Sequence, residues 1–305
     1  MNWNHPKIYS RSFVVISAVG LLSAAILILP AQGEVISKES LTAQVTPPPP
    51  PKPFPAVTTE AKAVVVWDVE KNEPLYFMNA DNKMPLASIT KLMTALVASE
   101  IFAPEDIIPI SESALGGGSN AGLMAGDSWT AKNLIEYKLT TSSNGAGTAL
   151  LEAAKNRGID FVAKMNERAQ TLGLTNTFYI NETGLDIEGS YGGSYGSAID
   201  TAKLLSYIVA EKPDLLVSTT RSYITRTSAS GRSYTGENTN EIVGKIPGLI
   251  GSKTGFTLAA GGNLAVAFDA GLARPIVVVV LGSSKNGRFT DVLTLTKATI
   301  GYLAN

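Results

Sequence analysis

The chain has 305 residues, enough for one or two domains, and its 45% hydrophobic and 17% charged residues fit a globular core. Its 25 lysine and arginine residues balance 26 aspartate and glutamate residues, so charge gives no case for nucleic-acid binding. Cysteine is absent and the single histidine is His5 in the N-terminal tail, which excludes Ser-His-Asp, Cys-His and most zinc sites from the folded part. No metal or other cofactor is expected.

Residues 1–33 are expected to be a signal or anchor segment outside the fold. Lys7 and Arg11 precede an uncharged run over residues 12–29, which is longer than most signal-peptide cores and slightly short of a full membrane span. Ala31-Gln32-Gly33 offers small residues where a signal peptidase acts. We favour an uncleaved membrane anchor, with a cleaved signal peptide as the alternative. Either way, the rest of the chain is expected outside the cytoplasm.

Residues 34–60 are predicted to be a linker. They contain a proline run at residues 47–51, followed closely by two more prolines. Proline-rich segments favour the extended polyproline II conformation and act as stiff spacers. The segment is therefore typical of a spacer that holds a domain away from a membrane surface.

Residues 61–305 contain the regular elements of a folded region. Strand patterns, beginning with a hairpin, are predicted over residues 63–69, 75–78, 222–226, 249–254, 263–270 and 275–281. Apolar periodicity predicts helices over residues 88–99, 132–139, 148–156, 161–172, 198–210 and 288–303. Loops are predicted at the glycine-rich residues 116–126, which lack a dinucleotide-binding pattern, and at residues 181–186.

The order of these elements indicates the fold class. A hairpin comes first, a helical block follows, and strands joined by short turns precede a final helix. Short turns between strands make a sheet antiparallel. We therefore expect an α+β fold, in which an antiparallel sheet is flanked by helices and a helical subdomain lies beside it.

Ser88-Ile89-Thr90-Lys91 opens the first predicted helix. Residues three apart share a helix face, so Ser88 Oγ and Lys91 Nζ are expected to meet. A serine hydroxyl is a weak nucleophile and needs a base beside it. With no histidine in the folded part, a lysine is the leading candidate, provided that burial or a neighbouring cation keeps it neutral. The pattern is weak by itself, because a capping serine beside a solvated lysine looks the same.

Two further motifs follow in the chain. Ser142-Ser143-Asn144 lies at a predicted helix break, and Lys253-Thr254-Gly255 lies on a predicted strand. With the Ser-x-x-Lys motif they form the ordered set that marks penicillin-recognising serine enzymes. A second Ser-x-Asn begins at Ser284, after the lysine strand, and we interpret it as a turn.

Residues 81–95 resemble the active-site segment of the serine D-alanyl-D-alanine carboxypeptidases, which are low-molecular-mass penicillin-binding proteins. Residues 181–186 and 253–257 are similar to that family too. The resemblance implies that residues 61–305 are a penicillin-binding D,D-peptidase catalytic domain that removes the terminal D-alanine from peptidoglycan pentapeptide stems. It also implies that β-lactam antibiotics inhibit the protein covalently.

The resemblance implies a role for each catalytic side chain. Ser88 attacks the peptide carbonyl and forms an acyl-enzyme, while neutral Lys91 takes its proton. Lys253 is a second cation whose like charge would help to lower the pKa of Lys91. Ser142 is placed to relay a proton to the leaving amine.

Substrate-binding roles are implied in the same way. Asn144 would bind substrate amides, and the backbone N–H groups of Ser88 and Phe256 would bind the oxyanion. Lys253 and Thr254 suit the terminal carboxylate of the substrate. The strand around Gly255 offers an edge along which an extended peptide pairs.

The motifs leave alternatives open: a D,D-endopeptidase, a β-lactamase, or a β-lactam sensor. Only eleven residues precede the hydrophobic run, which leaves little room for a signalling module inside the cell and disfavours the sensor. A serine β-lactamase needs a second base, and Glu182 is the nearby candidate, but Asp186 stands where such enzymes have asparagine. Many family members carry proline at the position of Glu182 and a β-rich second domain with a membrane-binding tail. We expect the N-terminal anchor to replace that tail.

Overall fold

The computed structural model describes residues 53–187 and 191–304. The predicted anchor over residues 1–33 and the proline run at residues 47–51 lie outside these ranges. In the two described ranges, none of the helices has the length and apolar character that crossing a bilayer requires.

The strands of the described ranges are β1 (Ala63–Asp68), β2 (Glu73–Met78), β3 (Met84–Pro85), β4 (Ile107–Pro109), β5 (Ser128–Thr130), β6 (Phe178–Tyr179), β7 (Ser194–Gly196), β8 (Tyr223–Thr227), β9 (Ser233–Glu237), β10 (Leu249–Thr257), β11 (Gly261–Asp269) and β12 (Pro275–Ser283). The α-helices there are α1 (Lys91–Ile101), α2 (Ala131–Thr141), α3 (Asn144–Asn156), α4 (Phe161–Thr171), α5 (Ala198–Glu211) and α6 (Gly287–Leu303).

A five-stranded antiparallel sheet in the order β10-β11-β12-β1-β2 forms the centre of the fold. Its middle strands are rich in valine: Val65 of β1 lies opposite Val279 of β12, and Val266 of β11 lies opposite Val278 of β12. Such β-branched residues pack well on a pleated surface. Strand β10 lies at one edge of this sheet. The predicted antiparallel sheet is confirmed.

The two faces of the sheet support two separate hydrophobic clusters, because successive strand residues point to opposite faces. From β1, Val65 and Trp67 join the larger cluster, which includes apolar residues of α1, α2, α3 and α5. Val64 and Val66 join the smaller one with apolar residues of α6, such as Val292. The sheet is thus covered by helices on both sides, as the predicted α+β class requires.

Three sequence predictions are wrong in detail. The helix predicted over residues 148–156 begins at Asn144, because the Ser143 side chain caps it by accepting a hydrogen bond from Ala146 N. The middle of the chain is not all helical, since the short strands β4 to β7 lie within it. Strand β9 was not predicted, and with β8 it forms a hairpin separate from the main sheet.

Candidate active site

Ser88 lies in a 3₁₀ turn directly before α1, and this turn is held from several directions. The preceding residue, Ala87, has a φ of 49°, in the left-handed region that only glycine adopts without strain. Leu86 N donates to Ser194 O at 3.1 Å, and Asn263 Nδ2, from β11, donates to Leu86 O at 3.1 Å. The serine is therefore fixed between the main sheet and the small sheet that contains β7.

Lys91 Nζ forms three hydrogen bonds in a fully buried site: to Ser88 Oγ at 2.7 Å, to Asn144 Oδ1 at 2.7 Å and to Thr183 O at 2.8 Å. Burial lowers the pKa of Lys91 to about 7, an effect that the Glu182 charge partly opposes. The amide and carbonyl oxygens can only accept hydrogen bonds. A neutral amine therefore gives its two hydrogens to these oxygens and turns its lone pair toward the serine hydroxyl.

Lys253 forms a second buried amine site opposite the first. Its Nζ donates to Ser142 Oγ at 3.0 Å and to Thr254 O at 3.0 Å. Burial, and then the positive charges of Lys91 and Arg288, lower the pKa of Lys253 well below its usual range. The prediction that the Lys253 charge helps to lower the pKa of Lys91 is not confirmed, because burial lowers that pKa and the charge that acts on it is that of Glu182, which raises it.

Ser142 and Asn144 flank the tight turn between α2 and α3. Ser142 has a φ of 60°, so α2 ends there in a left-handed residue. The predicted glycine-rich loop covers this turn, and Asn144 N donates to Ser119 O at 2.8 Å. A Cβ at Gly118, whose φ is +69°, would lie 2.5 Å from Asn144 Nδ2. Glycine at this position therefore lets the loop backbone close over the asparagine amide.

Gly255 brings the edge of β10 against the nucleophile. A Cβ there would lie 2.8 Å from Leu86 O and 3.2 Å from Ser88 N, so a larger residue would push the strand away. Arg288 Nη1, from α6, donates to Gly255 O at 2.7 Å and fixes the strand from the other side. The next residue, Phe256, is 43% exposed.

The structure thus brings the predicted site residues close together. Hydrogen bonds join Ser88, Lys91 and Asn144, and a second set joins Lys253, Ser142 and Thr254. Thr254 Oγ1 also lies 2.6 Å from Thr239 Oγ1, with either hydroxyl as donor. Gly255 and Phe256 follow on the same strand.

Sequence reasoning missed three features of this site. Residues 181–186 resembled the family, but the contact of Thr183 O with Lys91 was not predicted. Gly184, with a φ of +76°, packs so tightly that a Cβ would lie 1.9 Å from Ala87 O. Lys138 is also fully buried beside Lys91. A lysine within a helical pattern gives no signal of burial, because lysines are almost always exposed.

The comparisons with known proteins agree on one family. The model of the D-alanyl-D-alanine carboxypeptidase family, peptidase S11, matches residues 45–285. The D-alanyl-D-alanine carboxypeptidase DacF of Bacillus subtilis is 33% identical over 239 residues, which cover 76% of this chain and 60% of that relative. The chain therefore spans less than two thirds of the length of DacF.

Two further matches cover most of both chains. A D-alanyl-D-alanine endopeptidase of Pseudomonas aeruginosa is 30% identical over 258 residues, which cover 82% of this chain and 80% of the relative. The crystal structure of penicillin-binding protein D2 from Listeria monocytogenes, in its ampicillin-bound form, is similar with a TM-score of 0.69. That match has 30% identity and covers 80% of this chain and 99% of the other.

Proposed function

This chain belongs to the D-alanyl-D-alanine carboxypeptidase family, and we propose that it removes the terminal D-alanine from peptidoglycan stem peptides through an acyl-enzyme on Ser88. The observation that carries the proposal is the Lys91 amine, which is fully buried, has its pKa lowered to about 7 and lies 2.7 Å from Ser88 Oγ. An amine in this state accepts a proton near neutral pH, as a general base must.

Acylation begins when Lys91 takes the Ser88 proton and Oγ attacks the carbonyl carbon of the penultimate D-alanine. The oxyanion is stabilised by the backbone N–H groups of Ser88 and Phe256. Ser142, held by Lys253, delivers its hydroxyl proton to the nitrogen of the leaving D-alanine, and the proton that Lys91 took from Ser88 replaces it, so that Lys91 is neutral again. The C–N bond then breaks, D-alanine departs, and an ester to Ser88 is left.

Deacylation uses the same base. A water molecule attacks the ester carbonyl while Lys91 accepts one of its protons. The ester C–O bond breaks, Lys91 passes that proton to Ser88 Oγ, and the shortened stem peptide leaves with a new carboxylate. The sum of the two halves is hydrolysis of one peptide bond.

Substrate binding is supported by the position of β10 at the edge of the main sheet. An extended peptide can add to such an edge through backbone hydrogen bonds. Its terminal carboxylate would lie near Lys253 and Thr254. Since Asn144 Oδ1 is bonded to Lys91, the Nδ2 group of Asn144 is the part that can donate to a substrate carbonyl.

A D,D-endopeptidase is the second candidate, because the same side chains cut a cross-link and the Pseudomonas relative bears that name. The test uses the full chain in detergent with two substrates: a monomeric muropeptide that ends in D-Ala-D-Ala, and a cross-linked dimer. Mass spectrometry should show loss of one alanine from the monomer. Cleavage of the dimer with the monomer intact would show that the protein is an endopeptidase and not a carboxypeptidase. If neither substrate is cleaved, both proposed activities are refuted.

Location and domain organisation belong to the same proposal. The catalytic domain, residues 61–305, would work outside the cytoplasm, attached by residues 12–29 through the linker at residues 34–60. The protein is then expected in the membrane fraction after a high-salt wash. A mature chain that starts near Glu34 would instead show that the segment is a cleaved signal peptide.

A further inference from the structure

Arg288 is a buried cation that contacts the active-site strand and has no part in the proposed mechanism. It lies in the first turn of α6, is 6% exposed, and its Nη1 donates to Gly255 O at 2.7 Å. Burying a guanidinium group is unfavourable unless acceptors or a negative charge compensate it. In the part of the chain that the structure describes, no ion pair includes Arg288, and its Nε has no hydrogen-bond partner. The buried charge is therefore directed at the Gly255 carbonyl.

The carbonyl of Gly255 and the N–H of Phe256 belong to one peptide unit, which is trans. A trans peptide unit is planar, so its C=O and its N–H point in opposite directions. A donor that fixes Gly255 O therefore also fixes the direction of Phe256 N–H. Because Arg288 reaches this unit from α6, the N–H points to the side of the strand away from Arg288.

The contact also strengthens Phe256 N–H as a hydrogen-bond donor. A hydrogen bond from a charged group is roughly twice as strong as one between neutral groups, and 2.7 Å is at the short end of its range. Hydrogen bonds that share a peptide unit polarise one another, most strongly in a buried site of low dielectric. The positive charge beside Gly255 O therefore makes the hydrogen of Phe256 N–H more positive.

Asp291 holds the turn of α6 that carries Arg288. It is 3% exposed, and its two oxygens accept hydrogen bonds from Glu60 N at 2.9 Å, Ala61 N at 3.0 Å and Ser283 Oγ at 2.7 Å. A buried carboxylate with three donors is strongly held, because each bond is charge-assisted. Arg288 lies three residues earlier on the same helix face, so the guanidinium approaches Gly255 from a fixed turn.

We propose that Arg288 is a positioning residue, which orients and polarises the Phe256 N–H for the oxyanion through the Gly255–Phe256 peptide unit. Arg288 exchanges no proton with the substrate in this role. Its contribution is that the N–H already has the required direction before negative charge develops on the substrate carbonyl. The proposal rests on the proposed function, in which the N–H groups of Ser88 and Phe256 bind the oxyanion.

Replacing the arginine should weaken the oxyanion site without emptying it. Arg288→Gln removes the charge and shortens the side chain, so the charge-assisted bond to Gly255 O is lost. The first-order acylation step should slow roughly tenfold, which is less than the 10²- to 10³-fold cost of losing a whole oxyanion donor. The non-covalent binding of penicillin should change little. Arg288→Lys keeps the positive charge and should fall between Arg288→Gln and the wild type.

The ester carbonyl of the acyl-enzyme provides a spectroscopic readout of the same N–H. Weaker hydrogen bonds to this carbonyl raise its infrared stretching frequency, so the band should lie at a higher wavenumber in Arg288→Gln than in the wild type. The full chain in detergent is acylated with a penicillin whose β-lactam carbonyl is labelled with heavy carbon, and isotope-edited infrared spectra record the band. Rapid-mixing kinetics separate the acylation step from non-covalent binding.

Lys297→Gln, at an exposed lysine on the same helix, is the matched control and should keep the wild-type rate and band. A melting curve for each variant shows whether it is folded. A slower acylation step together with a raised carbonyl frequency in Arg288→Gln would support the inference. An unchanged band in folded Arg288→Gln overturns it, because an arginine that only stabilises the fold changes the melting temperature and not the ester band.

Two further arms keep the test decisive. If Arg288→Gln does not fold, Arg288→citrulline keeps the shape of the side chain without its charge, and an unshifted band in that variant overturns the inference. Failure of the wild type to be acylated would overturn the proposed function. An acylated wild type whose rate and band do not depend on Arg288 would overturn this inference alone.

Discussion

Lys253 Nζ lies 3.0 Å from Ser142 Oγ, so the edge strand of the main sheet and the turn between two helices share a hydrogen bond. The bond from Lys91 to Asn144 reaches that same turn from α1. The turn between α2 and α3 therefore contacts the buried amines of Lys91 and Lys253.

The first prediction concerns pH. A base must be unprotonated to act, and Lys91 has a pKa lowered to about 7. Acylation of the wild type by penicillin should therefore be fastest above this pH and fall about tenfold for each pH unit below it. Labelling rates over a pH series check this, and a rate that stays flat through the acid range would contradict the role of Lys91.

Lys91→Arg tests the same role at a fixed pH. Arginine stays protonated near neutral pH and cannot accept the serine proton. The variant should keep the fold and lose about 10²- to 10⁴-fold in acylation rate, the usual cost of removing a catalytic base. Near wild-type acylation in a variant with a normal melting curve would assign the base to another residue.

Neighbouring serines provide a matched pair for the second prediction. Ser142→Ala removes the hydroxyl that Lys253 holds, and acylation should slow by roughly 10²-fold or more because the leaving nitrogen loses its proton donor. Ser143→Ala removes the cap of α3 and should cost about 1 kcal/mol of stability with acylation largely retained. Equal rates in the two variants would show that Ser142 is not a relay.

Two glycines with similar backbone angles give the third prediction. Gly184→Ala would place a Cβ 1.9 Å from Ala87 O at a φ of +76°, whereas Gly158→Ala has a φ of +73° and nothing within 4 Å. The second substitution should cost about 1–2 kcal/mol from conformation alone. The first should cost about 3 kcal/mol or more, since it adds the clash beside Ser88. Urea unfolding measures the free energy of unfolding of both variants. Equal losses of stability would mean that the loop around Gly184 moves enough to relieve the clash.

The fourth prediction separates this chain from a β-lactamase. The Glu182 carboxylate accepts a hydrogen bond from Thr148, so we do not expect it to be an efficient base for hydrolysing a penicilloyl ester. Penicillin should therefore form a long-lived acyl-enzyme while a D-Ala-D-Ala peptide turns over. Intact-mass spectra over time measure the lifetime. Rapid penicillin turnover in the wild type, lost in Glu182→Gln, would make the protein a β-lactamase.

The sequence is sufficient to predict the family and the main sheet. The three motifs occur in order, and the family they indicate is confirmed by the family model that matches residues 45–285. The strands of the main sheet are apolar runs bounded by turn residues, a pattern that predicts strands well because both faces of the inner strands are buried. The final helix was found by its periodicity and begins one residue earlier than predicted, at Gly287.

Features that depend on tertiary packing were not predictable. Strand β9 contains a glycine and a glutamate, which are poor strand formers, and it is formed by pairing with β8 against α2. Helix α3 begins early because the Ser143 side chain caps it. This serine lies in a stretch whose composition predicts a helix break and not a helix start. Lys138 is buried where Gly147 of the next helix leaves space, since a Cβ at Gly147 would lie 3.3 Å from Lys138 Cε, and the sequence gives no sign of this packing.

The most direct test of this account is the site of the penicillin adduct. The full chain is labelled with penicillin, digested, and mapped by tandem mass spectrometry, with Ser88→Ala treated in parallel. We predict a penicilloyl group on the peptide that contains Ser88, and no adduct in Ser88→Ala. An adduct on another residue, or labelling that survives Ser88→Ala, would contradict the assignment of Ser88 as the nucleophile activated by Lys91.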